Sequence, residues 1–179
     1  MSGTKMKRFL NMRVLILSLL CLSFILSIKA FAAQGLSTGE LVKSSEVIVS
    51  GKVENASCHW CKGTVVTRAT VKITEVLAGR LDKKDIIVEY EGGKVGDLEL
   101  KLTDAVSLTK GEEIILFLRT AESKLAGTVF IIEGQAQGKY TIKNGIASKG
   151  GFTLDKNQDV VDNNIPVKDL IAKIRPEGS

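Results

Sequence analysis

The chain is predicted to be mainly β, an antiparallel barrel or sandwich with a short N-terminal helix and a C-terminal helix. Three observations predict it. Short runs rich in Val, Ile and Thr recur between Val47 and Lys143, several of them alternating apolar and polar residues with period two. Glycine-containing turn signals separate these runs. No helical apolar period lies between them, so the crossovers that a parallel sheet needs are missing.

Residues 1–32 read as a cleaved secretory signal peptide. Lys5, Lys7, Arg8 and Arg13 form a basic leader, Val14 to Ile28 is a run of apolar residues and serines, and Ala30-Phe31-Ala32 supplies a small-x-small cleavage pattern. The run is shorter than the roughly 20 apolar residues of a spanning helix, so the mature chain is expected to carry no transmembrane segment. Cys21 follows Leu20 rather than the small residue of a lipidation site, and belongs to the apolar run. Residues 33–179 are then one β-rich domain, exported to the periplasm or the cell exterior. The leader also explains the charge. The whole chain is +5, but residues 1–32 hold five Lys and Arg and no acid, which leaves 20 basic and 20 acidic residues beyond them. No basic footprint for nucleic acid remains, and with 5% aromatic residues there is no stacking platform either.

The elements follow in order. Ser37-Thr38-Gly39-Glu40 fits a capping box, and Leu36 and Leu41 fit the hydrophobic staple of a short helix ending near Ser44-Ser45. Val47 to Val53 is a strand with Val47, Val49 and Val53 on one face. Thr64 to Thr74 is a second, with Val65, Thr67, Ala69, Val71 and Ile73 opposite Arg68, Thr70, Lys72 and Thr74. The alternation breaks at Val76-Leu77, which predicts a bulge or the strand's end, and Gly79 turns the chain. Asp85 to Glu91 is a third strand, closed by Gly92-Gly93, and Leu98, Leu100 and Leu102 line the buried side of another. After the turn at Lys110-Gly111-Glu112, Ile114 to Leu118 is continuously apolar, the pattern of a strand buried on both faces. Val129 to Ile132 and Lys139 to Lys143 are further strands, and Asn144-Gly145 is a two-residue hairpin turn. Gly150-Gly151 and Lys156-Asn157 mark turns. A final helix is capped by Asn163 or Asn164, with Pro166 in its first turn, Val167, Leu170, Ile171 and Ile174 as its apolar stripe, and Pro176 as its stop.

A family resemblance is carried by Val71-Lys72-Ile73-Thr74-Glu75-Val76-Leu77-Ala78-Gly79 and by Gly111-Glu112-Glu113-Ile114-Ile115-Leu116-Phe117-Leu118. These segments resemble exported bacterial domains and are more distantly similar to netrin-type domains of the tissue-inhibitor-of-metalloproteinase kind. The resemblance spans roughly Glu46 to Tyr140 and implies a five-stranded OB-like barrel with flanking helices. The animal domains carry several disulfides and bind a protease's metal through an N-terminal cysteine. This chain lacks those cysteines, so the resemblance does not carry protease inhibition over.

Cys58-His59-Trp60-Cys61 is the one chemically distinctive cluster. One reading is a local disulfide that stiffens a hairpin tip by about 2 kcal/mol, favoured by an oxidising compartment. A second is a redox pair, although Lys62-Gly63 and a β-run stand where such a pair has a helix. A third is half of a zinc site through Cys58 and Cys61, which needs two more ligands; His59, the only histidine, lies between the cysteines. Haem attachment fits least, because Lys62 stands where the motif has histidine. Trp60, the only tryptophan, reads as a residue packed over one barrel end or as a contact anchor beside His59.

Other chemistries lack their parts. No Gly-x-Ser-x-Gly elbow accompanies His59, and Gly92-Gly93-Lys94-Val95-Gly96 lacks the Gly-Lys-Ser/Thr of a P-loop. Glu112-Glu113 would point to opposite sides of a strand. Asp155, Asn157 and Asp159 alternate like a calcium loop without its glycine or terminal glutamate, and Asn55-Ala56-Ser57 matches a glycosylation sequon. The expectation is therefore a non-enzymatic binding domain with no cofactor, whose partner is a protein or an envelope component. The alternative is a thiol-based redox or zinc-binding protein built on Cys58 and Cys61.

Overall fold

The structure, a computed structural model, describes residues 35–102, 105–125, 127–150 and 162–175. The expected signal peptide, the calcium-like Asp155, Asn157 and Asp159, the turns at Gly151 and Lys156-Asn157, and the stop at Pro176 lie outside them. The described elements are helix α1 (Thr38–Ser44), strands β1 (Val47–Cys61), β2 (Thr64–Ala78), β3 (Asp85–Glu91), β4 (Gly93–Val95), β5 (Leu98–Leu100), β6 (Glu113–Glu122), β7 (Thr128–Ile132), β8 (Lys139–Lys143), β9 (Ile146–Ser148) and β10 (Ile165–Pro166), and helix α2 (Val167–Ile174). A 3-10 turn at Gln135–Gly138, which no periodicity announced, leads into β8.

The mainly β fold with a helix near each end is as expected. β1 pairs antiparallel with β2 and β6, β2 with β3, and β6 with β7. β3 and β7 then meet in parallel at a single bridge, Val88 to Phe130. Among the described residues the pairings thus run round a five-strand ring that is fully laddered at four joints and held at one point at the fifth, an incompletely closed barrel. β8 extends the sheet from the first half of β6, and β9 and β10 follow it.

Two apolar clusters explain this layering. Val49, Val53, Val71, Val88, Leu116 and Leu118 are among the residues that fill the ring. Ile48, Ile115, Phe117, Tyr140, Leu41 and Leu170 are among those that bind the outer face of β1, β6 and β8 to the helices. The run Ile114–Leu118 serves both clusters in alternation, and all five residues are fully buried, which is why it shows no polar period.

The local signals resolve one by one. Ser37 and Glu40 form the reciprocal capping box, and Leu36 and Leu41 meet in the outer cluster as a staple. Asn144 and Gly145 both take positive φ, as a tight hairpin turn requires. The break at Val76-Leu77 is a bulge rather than an end. β2 continues to Ala78, and Leu77 is skipped in the ladder as the pairing passes from Ile48–Ala78 to Val49–Val76. Two expectations are corrected. α2 begins only at Val167, so Pro166 rather than Asn163 or Asn164 is its N-cap, without a side-chain bond, and the Asn163 amide oxygen accepts instead from the backbone N–H groups of Lys149 and Asn164. The leucine strand is only Leu98–Leu100, paired with the three residues of β4 outside the main sheet, so Leu98 and Leu102 are exposed rather than buried.

Candidate functional site

The site is the overhanging end of the β1–β2 hairpin. Both strands run 15 residues, and Lys62 and Gly63, each with positive φ, turn the chain in two residues. The cysteine cluster is therefore not a loop. It is the end of β1, laddered to Thr64–Thr67.

A single bulge decides which way these side chains face. Val53 pairs with Val71 and Asn55 with Thr70, which leaves Glu54 as the extra residue. Each extra residue inverts the alternation beyond it. Val53 faces the ring core, and past the bulge the inward side passes to Ala56, Cys58 and Trp60. Ser57, His59 and Cys61 take the outward side.

This parity separates the two cysteines. Cys58 and Cys61 are free thiols three residues apart, on opposite faces of one strand. The expected local disulfide is corrected accordingly, since an extended backbone points the two sulfurs apart. Each thiol has its own partner. The Thr67 hydroxyl donates to the Gly92 carbonyl at 2.5 Å, which uses its single hydrogen, so the 3.3 Å contact between Cys58 Sγ and Thr67 Oγ1 is the thiol donating. On the other face the Cys61 thiol donates to the Lys124 carbonyl at 3.1 Å. Both thiols are engaged as donors to neutral oxygens. His59 is exposed, 3.0 Å from the Ser57 hydroxyl through Nε2. Among the described residues no three His, Cys, Asp or Glu side chains converge to hold a metal ion.

The mouth above Cys58 is roofed by β4 and β5. Gly93 lies so close that a Cβ there would sit 2.6 Å from both Cys58 Sγ and Thr67 Oγ1. Tyr90 forms part of the floor. Its oxygen accepts the Leu108 N–H at 3.1 Å, and burial pushes its hydroxyl pKa up. Trp60 is 55% exposed, which corrects the first of its two readings, a residue packed over one barrel end; it stands beyond the ring core. Leu98, 59% exposed, and Leu102, 40% exposed, are carried by the neighbouring β4–β5 hairpin and the segment that follows it.

On the outer face the tip of the β6–β7 hairpin is tied down by Glu89, a residue that sequence reasoning left on a strand without a role. Its carboxylate accepts from the Ser123 hydroxyl at 2.6 Å, the Lys124 N–H at 2.9 Å and Arg68 Nε at 3.0 Å. Burial alone would raise the Glu89 pKa, but these three donors outweigh it and hold the carboxyl below its ordinary 4.5. Glu89→Gln is expected to cost about 1–3 kcal/mol by weakening these charge-assisted bonds. The lowered pKa means this stability is present above pH 4.5 and is lost as pH falls through the folded value. Urea unfolding at pH 7 and pH 3 checks it, with a smaller gap between wild type and variant at pH 3.

No family model matches the chain, and no curated protein matches it. Among the described residues no helix is long and apolar enough to cross a membrane.

Proposed function

We propose that this chain is an exported, non-enzymatic binding domain that engages a protein or another envelope component through the β1–β2 end of its barrel. One observation carries the reading: Trp60 is more than half exposed on a strand whose flanking residues are laddered to β2. A large aromatic held on a rigid element loses little entropy on contact and is the residue type most enriched at binding hot spots. His59 and the exposed Leu98 and Leu102 extend the surface around it. The two thiols support the same reading, since each is hydrogen-bonded within the fold and on a different face.

The test is co-isolation of the tagged, exported chain with envelope components. Trp60→Ala is expected to lower recovery of a specific partner by tenfold or more while leaving the thermal midpoint within about 2 °C, as befits an exposed residue. A double Cys58→Ser, Cys61→Ser variant is expected to retain that partner. Loss of the partner in the cysteine variant with retention in Trp60→Ala would favour the thiol-based alternative and sink this reading.

A further inference from the structure

We propose that the mouth of the barrel also contains a binding site for a small, uncharged, largely apolar molecule, seated beneath the β4–β5 hairpin. An open-sided cleft of about 430 Å³ lies there, within the size range of small-molecule sites and at a position where barrels commonly hold them. Its floor is polar but uncharged: the Cys58 thiol and the Thr67 and Tyr90 hydroxyls. Its walls include Ala56, Leu100 and Val106. Among the described residues the two charged side chains that line it, Glu99 and Lys101, pair with one another at 3.2 Å. That pairing, over a floor where the Tyr90 hydroxyl retains a hydrogen to donate, suits a neutral ligand.

The roof is a small sheet of its own. Among the described residues β4 and β5 ladder only to each other, and the chain enters β4 through Gly92, whose N–H donates to the Val65 carbonyl and whose carbonyl accepts from the Thr67 hydroxyl. This site goes beyond the partner contact proposed above. The contact uses exposed Trp60 and Leu98, whereas the cavity lies beneath the hairpin, so either proposal can fail alone.

The test is a fluorescence titration of the purified chain with 1-aminoanthracene, a neutral probe, and with the anionic probe 1-anilinonaphthalene-8-sulfonate. The neutral probe is expected to bind saturably at one per chain, and at least tenfold more weakly in Leu100→Trp, which enlarges a wall residue of this cleft. Ala56→Met fills it from the opposite wall and is expected to act in the same direction. Trp60→Ser and Leu98→Ser, which strip the exposed surface, are expected to leave binding unchanged. Absence of saturable binding overturns the proposal, as does tighter binding of the anionic probe. So does loss of binding in the surface variants with retention in both cavity-filling ones, because the probe would then lie on the outside.

Discussion

Lys149→Met is expected to stabilise the fold at pH 7 by as much as roughly 3 kcal/mol, an unusual direction for a substitution at a buried position. Lys149 is only 8% exposed, and its Nζ has no hydrogen-bond partner among the described residues. The ammonium rests 4.6 Å from the centre of the Tyr140 ring, a contact worth about 0.5–2 kcal/mol. Asp162 attracts it, but the Asp162 carboxylate already accepts from Thr38 and pairs with Lys173. Burial therefore prevails over Asp162 and pushes the Lys149 pKa down from 10.5 to about 8. Methionine keeps the apolar stem and a favourable contact with the ring, and removes the charge.

The sign of the pH dependence follows. Below pH 8 both folded and unfolded chains hold the proton, and the full cost of burying the charge is present. Between about pH 8 and 10.5 the unfolded chain holds more protons, so this group's contribution to stability rises with pH. The difference between wild type and Lys149→Met isolates that contribution from other groups that titrate in alkali. Urea midpoints at pH 7, 9 and 10 should converge toward high pH. A constant gap, or a methionine variant less stable than wild type at pH 7, would show that the ammonium is well solvated.

Gly93→Val is expected to have the largest effect on the mouth. Its Cβ would meet Cys58 Sγ and Thr67 Oγ1 at 2.6 Å, and its φ of 121° is one that a β-branched residue avoids. The collision and the strain together are expected to cost roughly 2–4 kcal/mol and to push the β4–β5 hairpin off the barrel. Cys58 is then uncovered. Labelling with a thiol reagent should become many-fold faster at Cys58 and stay near wild type at Cys61, whose Lys124 contact lies on the other face. Equal acceleration at both thiols would indicate general unfolding, and no acceleration at Cys58 would remove the hairpin as its cover.

Much of the fold was legible because its signals are local. The capping box at Ser37, the turn at Asn144-Gly145 and the doubly buried run Ile114–Leu118 each depend on neighbours in sequence. The site was less legible because its geometry is set at a distance. The residue type at Glu54 does not announce a bulge, yet that bulge turns Cys58 inward and Cys61 outward. The leucine alternation at Leu98–Leu102 matches a half-buried strand, but among the described residues β5 pairs with β4 alone, and Leu98 stands in solvent. Gly92-Gly93 read as punctuation, whereas its second function is to bring backbone against a thiol. Lys149 shows no pattern at all, since a lysine's burial depends on what folds over it.

A contact surface at the β1–β2 end sets a partner against position 60 in the intact envelope. Photo-crosslinking in the intact envelope tests it most directly, with a photoreactive amino acid placed at Trp60 in one variant and at Lys143, exposed in β8, in another. The prediction is a discrete crosslinked species from position 60 that is absent from position 143 and suppressed when Leu98→Ser is added. Equal patterns from the two positions, or no crosslink from position 60, would contradict it.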